Sequence, residues 1–370
     1  MYLKMNNVDK NTFLNINTKS VEKNYKLIQK KVGKKCIVAA TVKADAYGLG
    51  IKKIFPNLFK SGCNFFFVAT THEAIELRKI NKKIFIFILN GLVAEDINLI
   101  LKYNLIPVIN NLTQLKNIEK FQEKKRLRIN IALHFDTGMA RLGFDKNETS
   151  ILVENKLELI KKSKIFLVMS HLSCADDIKS KMNKKQLEEF NTIRSHFPNC
   201  MHSLSNSAGV LLGKKYHFDM VRPGISLYGG HSQINEKKIY HNVVSLNAKL
   251  IQVRNIYKGD TIGYGATFKA KSKMKIGTLG FGYGDGFNRL FSNNYYIRFK
   301  NKKIHIVGRV SMDLITVDLT NVKLTENIME EEFEIIGTKN SINSIAKLIN
   351  TIPYEILTNL GKRYQRRYIS

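Results

Sequence analysis

The sequence predicts an α/β protein: an N-terminal (β/α)8 barrel of the TIM type over residues 1–235, then a mostly β C-terminal domain over residues 236–370. Three observations predict it. Eight short β-rich runs, mostly with helical patterns between them, fill the first 230 residues, and strands alternating with helices specify a parallel sheet. Eight such units suit a closed barrel, for which roughly 250 residues is typical. Around Gly229-Gly230-His231-Ser232 the pattern changes and β-runs follow one another with few helices between them. The rival, an open doubly wound sheet, is weakened because no G-x-G-x-x-G follows the first strand.

In order, the barrel runs are Ile37–Lys43, Phe65–Thr70, Ile84–Leu89, Ile106–Asn110, Arg128–Asp136, Ile165–His171, His202–Asn206 and Val221–Tyr228. Each is strand-sized and rich in β-branched or aromatic residues. Val21–Lys31 and Lys184–Arg194 carry apolar residues at helical spacing. In the second domain Val243–Arg254 alternates as a strand does. Shorter β-runs follow at Lys275–Phe281, Tyr295–Phe299, Lys303–Val307, Ile315–Leu319 and Phe333–Ile336, and Ser341–Asn350 and Tyr354–Gly361 read as helices.

At 370 residues and 44% hydrophobic, the chain is large enough for two cores. No apolar run reaches the length of a bilayer span, and the start, Met1-Tyr2-Leu3-Lys4-Met5-Asn6-Asn7, has no apolar signal core. A cytoplasmic protein with no membrane partner is expected. Cys36, Cys63, Cys174 and Cys200 show no metal or redox spacing, so reduced thiols and no metal are expected. The formal charge is +30, but the basic pairs Lys30-Lys31, Lys82-Lys83, Lys161-Lys162, Lys237-Lys238 and Lys302-Lys303 are dispersed and no aromatic nucleic-acid motif accompanies them. The charge reads as solvated faces rather than a nucleic-acid surface.

Chemistry collects at the C-terminal ends of the strands, where barrels carry their active sites. The first run ends in Lys43, within Thr41-Val42-Lys43-Ala44-Asp45-Ala46-Tyr47-Gly48-Leu49-Gly50. An amine at the mouth of a sheet can lose its charge by desolvation and act as nucleophile or base. The fifth run ends in His134-Phe135-Asp136-Thr137-Gly138-Met139-Ala140-Arg141-Leu142-Gly143, the sixth in Ser170-His171, the seventh in Ser205-Asn206-Ser207, and the eighth carries Arg222-Pro223-Gly224-Ile225. The last two suit phosphate, because a hydroxyl and backbone N–H groups converge there. A lone serine or histidine at a strand end is more often a packing residue. The specificity lies in the whole order.

That order, continued by Gly263-Tyr264-Gly265-Ala266-Thr267-Phe268, Gly282-Tyr283-Gly284-Asp285-Gly286 and Gly308-Arg309-Val310-Ser311-Met312-Asp313, resembles the alanine racemase family from about residue 10 to residue 367. The resemblance implies pyridoxal 5'-phosphate (PLP) held as an aldimine by Lys43, and interconversion of L- and D-alanine by two bases, Lys43 and Tyr264. It implies that Tyr47, Asn206 and Ser207, with the N–H groups of Gly224 and Ile225, bind the cofactor around its phosphate. His171 would lie against the pyridine face, Arg222 at the pyridine nitrogen, and Arg141 at the phenolic oxygen and the substrate carboxylate. Met312 would offer its N–H to that carboxylate, Tyr283 would narrow the entrance, and Asp176, Arg289 and Arg309 would lie further out. In this family the tyrosine comes from the partner subunit, so a head-to-tail homodimer is implied, with D-alanine destined for peptidoglycan.

The physics is consistent with those roles. Racemisation needs an acidified Cα–H and a base on each face, with both pKa values well below about 10. Burial beside cations would lower Lys43, and His171 and Arg222 would lower a tyrosine brought beside them. An arginine at the pyridine nitrogen does not give up a proton, which weakens the electron sink and limits side reactions. A carboxylate there would indicate a transaminase-like or decarboxylase chemistry.

The chain departs from the family pattern in two places. His134 stands where the family usually has a carbamylated lysine, so a neutral imidazole replaces a negative group near Arg141. Near the C-terminus, Gly361-Lys362-Arg363 occupies a segment where some relatives place a phosphate-contacting tyrosine, which leaves Lys362 and Tyr364 as substitutes. The alternative reading is a relaxed or dual-function enzyme with PLP β-lyase activity on a substrate such as cystathionine, or a racemase of another amino acid.

Overall fold

The computed structural model describes residues 9–155, 163–237 and 239–370. The expectation of no signal core concerned residues 1–7, which lie outside the described residues, as do Lys161-Lys162 and Lys238. The chain divides into two compact units, Val21–His241, and Asn242–Ser370 together with the N-terminal segment to Ser20. The expected first domain began at residue 1, whereas the first strand, β1 (Asp9–Asn17), is built into the second unit.

In the unit Val21–His241 the strands are β2 (Ile37–Val38), β3 (Ala40–Thr41), β4 (Phe65–Val68), β5 (Phe85–Ile88), β6 (Ile106–Ile109), β7 (Asn130–His134), β8 (Lys164–Met169), β9 (Met201–Ser203) and β10 (Met220–Val221). β3 to β9 form one parallel sheet in chain order, and β10 pairs in parallel with β2. Backbone bonds close the ring. Ala39 N–H donates to Val221 O at 2.9 Å and Thr41 N–H to Pro223 O at 2.9 Å, while Arg222 N–H donates to Ser205 O at 2.9 Å. β2 and β3 are thus two halves of one barrel strand.

The interior is packed, not hollow. Ala39, Phe67, Phe87, Val108, Leu167 and Met220 belong to one buried cluster. Register partners Phe67 and Phe87 stack with ring centroids 4.5 Å apart, and one turn of the alternation below them Phe65 and Phe85 stack at 4.8 Å. Side chains alternate in and out along a strand, so the cluster also fixes which residues above it point inward.

Several expected strands end before their expected limits, and two of them show why. The eighth was read as Val221–Tyr228, but its last bond to the neighbouring strand is the one Pro223 O accepts; Pro223 offers no N–H, and the chain then enters a 3-10 turn at Ile225–Tyr228. The first was read to Lys43, where instead a left-handed turn begins: Ala44, Asp45, Ala46 and Tyr47 all have φ between 53° and 56°.

The second unit centres on β11 (Val244–Ile256), whose buried positions alternate over its first half. It is followed by β12 (Thr261–Ile262), β13 (Phe268–Lys269), β14 (Met274–Leu279), β15 (Tyr296–Phe299), β16 (Lys302–His305), β17 (Ile315–Asp318), β18 (Glu332–Ile336) and β19 (Tyr364–Ile369). The main path runs β16-β15-β18-β11-β1-β19, with β14 joining β11 to β17. β1 and β19 were not foreseen. β1 reads Asp-Lys-Asn-Thr-Phe-Leu-Asn-Ile-Asn, and β19 is an edge strand carrying Arg366 and Arg367, the polar dress that edges need. The helices Ile342–Leu348 and Pro353–Thr358 close the unit.

Candidate active site

The barrel mouth is a continuation of its core by steps of two. Ala39 leads to Thr41 and Lys43, Val108 to Asn110, Ala132 to His134, Met169 to His171, and Met220 to Arg222. Since alternate residues share a strand face, residues that pack the barrel below place polar side chains at its top.

Arg222 is the floor. It is 4% exposed, and its guanidinium carbon lies 5.8 Å from the Phe67 ring centroid. Its Nη2 donates to Ser170 O at 2.6 Å and its Nη1 to Ser203 Oγ. Burial lowers it to about 9, which leaves it charged at neutral pH. His171 stands between two donors, with Arg222 Nη2 3.4 Å from Nδ1 and Asn206 Nδ2 3.3 Å from Nε2. An imidazolium would turn both N–H groups on donors. Burial, then Arg222 and Arg141, hold the ring well below its ordinary range, so it is neutral.

His134 is neutral for a related reason. Asn110 Nδ2 donates to Val108 O at 2.9 Å and Leu89 O at 3.2 Å, which leaves Asn110 Oδ1 as the acceptor for His134 Nδ1 at 2.8 Å. The proton therefore sits on Nδ1 and Nε2 carries a lone pair. Burial, then Arg222, bring this ring down to about 3. Sequence reasoning missed Asn110. Its signal was there, two positions beyond inward-facing Val108.

Lys43 is half-buried, and its amine is lowered first by burial and then by Arg141, while Glu73 opposes them. Arg141 rides on a loop that Asp136 shapes by accepting from the N–H groups of Gly138 at 2.9 Å, Met139 at 2.8 Å and Ala140 at 2.8 Å. Thr137 and Ser170 bond at 2.7 Å, linking this loop to the one carrying His171. Its guanidinium is exposed, and its charge acts on Lys43, His134 and His171.

A second group forms beside it. Ser207 Oγ accepts from Gly224 N–H at 2.8 Å, and Asn206 caps the short helix Ser207–Leu211. A Cβ on residue 224 would lie 2.1 Å from Tyr47 Oη, so glycine is what admits the tyrosine. The Ile225 N–H opens a 3-10 turn and has no acceptor within it. Hydroxyls, a glycine without side chain and an orphan N–H make a cradle for an anion such as phosphate. Asp176 is exposed on the loop after His171.

A lysine, an arginine, two neutral histidines and an anion cradle thus share one barrel mouth. The family models for the N-terminal and C-terminal domains of alanine racemase match residues 16–232 and 243–368. The chain belongs to the alanine racemase family. It is 43% identical over 337 residues to the alanine racemase of Rickettsia bellii, covering 90% of this chain and 82% of that one. It is 40% identical to that of Rickettsia canadensis, covering 96% and 98%. The alanine racemase of Bartonella henselae, solved with covalently bound pyridoxal phosphate, superposes with a TM-score of 0.92 at 34% identity over 97% of this chain and 99% of that one.

The remaining residues of the alanine racemase pattern lie in the second unit. Tyr264 is 71% exposed, on a tight turn with Gly263, Gly265 and Ala266 at positive φ. A Cβ on Gly265 would meet Arg309 Nη1 at 2.7 Å, so Arg309 packs over that turn. Tyr283 and Met312 are exposed on neighbouring loops, with Tyr283 N–H donating to Ser311 O at 3.0 Å and Gly284 N–H to Met312 O at 2.8 Å. Arg363 clamps these loops through Asp285 at 2.9 Å and Asp313 at 2.7 Å. Arg289 is exposed on a 3-10 turn. Of the two substitutes considered for the phosphate-contacting tyrosine, Tyr364 is buried within this unit and Lys362 is exposed.

Proposed function

We propose that the protein interconverts L- and D-alanine with PLP attached at Lys43, and supplies D-alanine for peptidoglycan in the cytoplasm. The observation that carries this reading is the Lys43 amine, held below its ordinary range by burial and by Arg141, at the same barrel mouth as the buried Arg222 and a cradle where a glycine at 224 admits Tyr47.

The residues fit the cofactor. Tyr47, Asn206, Ser207, Gly224 and Ile225 would hold its phosphate end, His171 and Arg222 its ring, and Arg141 its phenolic oxygen and the substrate carboxylate. When bound, PLP supplies an electron sink that makes the Cα–H acidic. The chain supplies the rest. Lys43 exchanges a proton with one face of Cα, which its lowered basicity favours near neutral pH. Tyr264 serves the other face and Met312 steadies the carboxylate. Arg222 stays protonated and donates, which restrains the sink and favours return of the proton over side reactions. The domains act as a PLP-binding barrel and a β domain that lends Tyr264 to a partner in a head-to-tail homodimer. Exposed Tyr264, Tyr283, Met312 and Leu290 support that pairing.

The test is purified holoenzyme given L-alanine and, separately, L-cystathionine. D-alanine is followed by chiral chromatography and pyruvate by a coupled assay. D-alanine without pyruvate is expected, with Lys43→Ala inactive. Pyruvate from cystathionine would establish the dual-function alternative, and no D-alanine would sink the reading.

A further inference from the structure

We propose that Glu73 is the positioning residue of the Lys43 turn: its carboxylate ties the backbone that follows the amine to the helix after β4, and sets a fixed negative charge beside residue 43. The inference rests on the reading of Lys43 as the cofactor-bearing base.

Glu73 is the third residue of the helix Thr71–Ile80, where a glutamate ordinarily caps its own helix. One oxygen does so. Oε2 accepts from Ala69 N–H at 2.7 Å and Thr70 N–H at 3.4 Å, while Thr70 Oγ1 accepts from Glu73 N–H at 3.3 Å. The other leaves the helix altogether, and Oε1 accepts from Ala44 N–H at 2.6 Å. Ala44 follows Lys43 and opens the run of left-handed residues 44–47. Such a conformation costs about 1–2 kcal/mol for each non-glycine residue, so it persists only where the surroundings hold it. Gly48 N–H to Ala44 O at 2.6 Å and Ile51 N–H to Asp45 Oδ1 at 2.8 Å hold the turn to itself; Glu73 joins it to a neighbouring element.

The charge has a second effect. Arg141, from the loop after β7, and His171, from the loop after β8, also face Lys43, and Arg141 opposes its protonation. The Glu73 carboxylate favours the protonated nitrogen, whether that nitrogen is a free amine or is bound to the cofactor, since both protonated forms are cations.

Two variants separate reach from charge. Glu73→Gln keeps the length but loses the charge and one acceptor. Glu73→Asp keeps the charge but is a methylene too short to span both bonds. In each holoenzyme three things are measured: kcat with the acid limb of kcat/KM against pH, the yield of the Lys43 peptide carrying reduced cofactor after borohydride, and the melting temperature. Both variants are expected to lose about tenfold in kcat through misplacement, with a lower trapped yield. Glu73→Gln is also expected to move the acid limb to lower pH, and Glu73→Asp to leave it in place. An unmoved limb in Glu73→Gln overturns the proposal, whether kcat is retained or only the melting temperature falls, because Glu73 is then a helix cap and no more. If wild-type enzyme traps no cofactor at Lys43, the functional reading fails first and separately.

Discussion

His134 shows how one side chain binds stability to pH. Its ordinary pKa of 6.5 falls to about 3 in the folded chain, so the folded state refuses a proton that the unfolded state accepts. Between those values the unfolded chain binds more protons, and stability therefore falls as pH falls through the window. At pH 5 the share belonging to His134 is about 2 kcal/mol relative to pH 7. Denaturant titrations of wild type and His134→Asn at both pH values check this, with a smaller loss on acidification expected in the variant. Equal losses would mean that His134 protonates freely. The same residue carries the departure from the family pattern. Its neutral lone pair at Nε2 stands where the resemblance implies a negative group, so racemisation is expected to be indifferent to bicarbonate added to CO2-stripped enzyme.

At the scale of an element, the stack of β4 on β5 supports the site from below. Phe67 is fully buried, stacks on Phe87 and underlies the Arg222 guanidinium. Phe67→Ala is expected to cost about 3–5 kcal/mol, read by denaturant titration, and to weaken PLP binding as well, read by absorbance on titrating the apoenzyme. Loss of stability with unchanged PLP affinity would show that the floor under Arg222 does not matter. The short strands were legible because each is a bounded apolar run, and the candidate site residues were read from the strand ends and from the resemblance of the motif order, which is how Asn110, two positions beyond Val108, was passed over. The turn at residues 44–47 was not legible. Ala, Asp, Ala and Tyr carry no left-handed preference strong enough to announce it, and it is held by bonds such as that from Ala44 N–H to Glu73, 29 positions along the chain.

For the whole molecule, the division of labour proposed for Lys43 and Tyr264 makes a prediction about assembly. Lys43→Ala and Tyr264→Phe are each expected to be nearly inactive. Unfolded together and refolded, they form heterodimers in which one of the two sites has both wild-type residues, and about a quarter of wild-type activity per protomer is expected. No recovery on mixing would place both bases in one protomer. The second unit was less legible than the barrel. β1 and β19 lie at opposite ends of the chain yet pair in parallel with each other, and their sequences are too polar to read as strands alone.

The sequence by itself determined the barrel and a mostly β second domain, because periodicity is a local property of a chain, and its motif order, through resemblance to a family, supplied the candidates for the site. The tertiary structure alone decided where β1 belongs, which nitrogen of His134 holds the proton, and what fixes the turn after Lys43. Each of these depends on hydrogen bonds between segments far apart in sequence, Asp9–Asn17 with β11, Asn110 with His134 and Glu73 with Ala44, and no local pattern encodes such a partner.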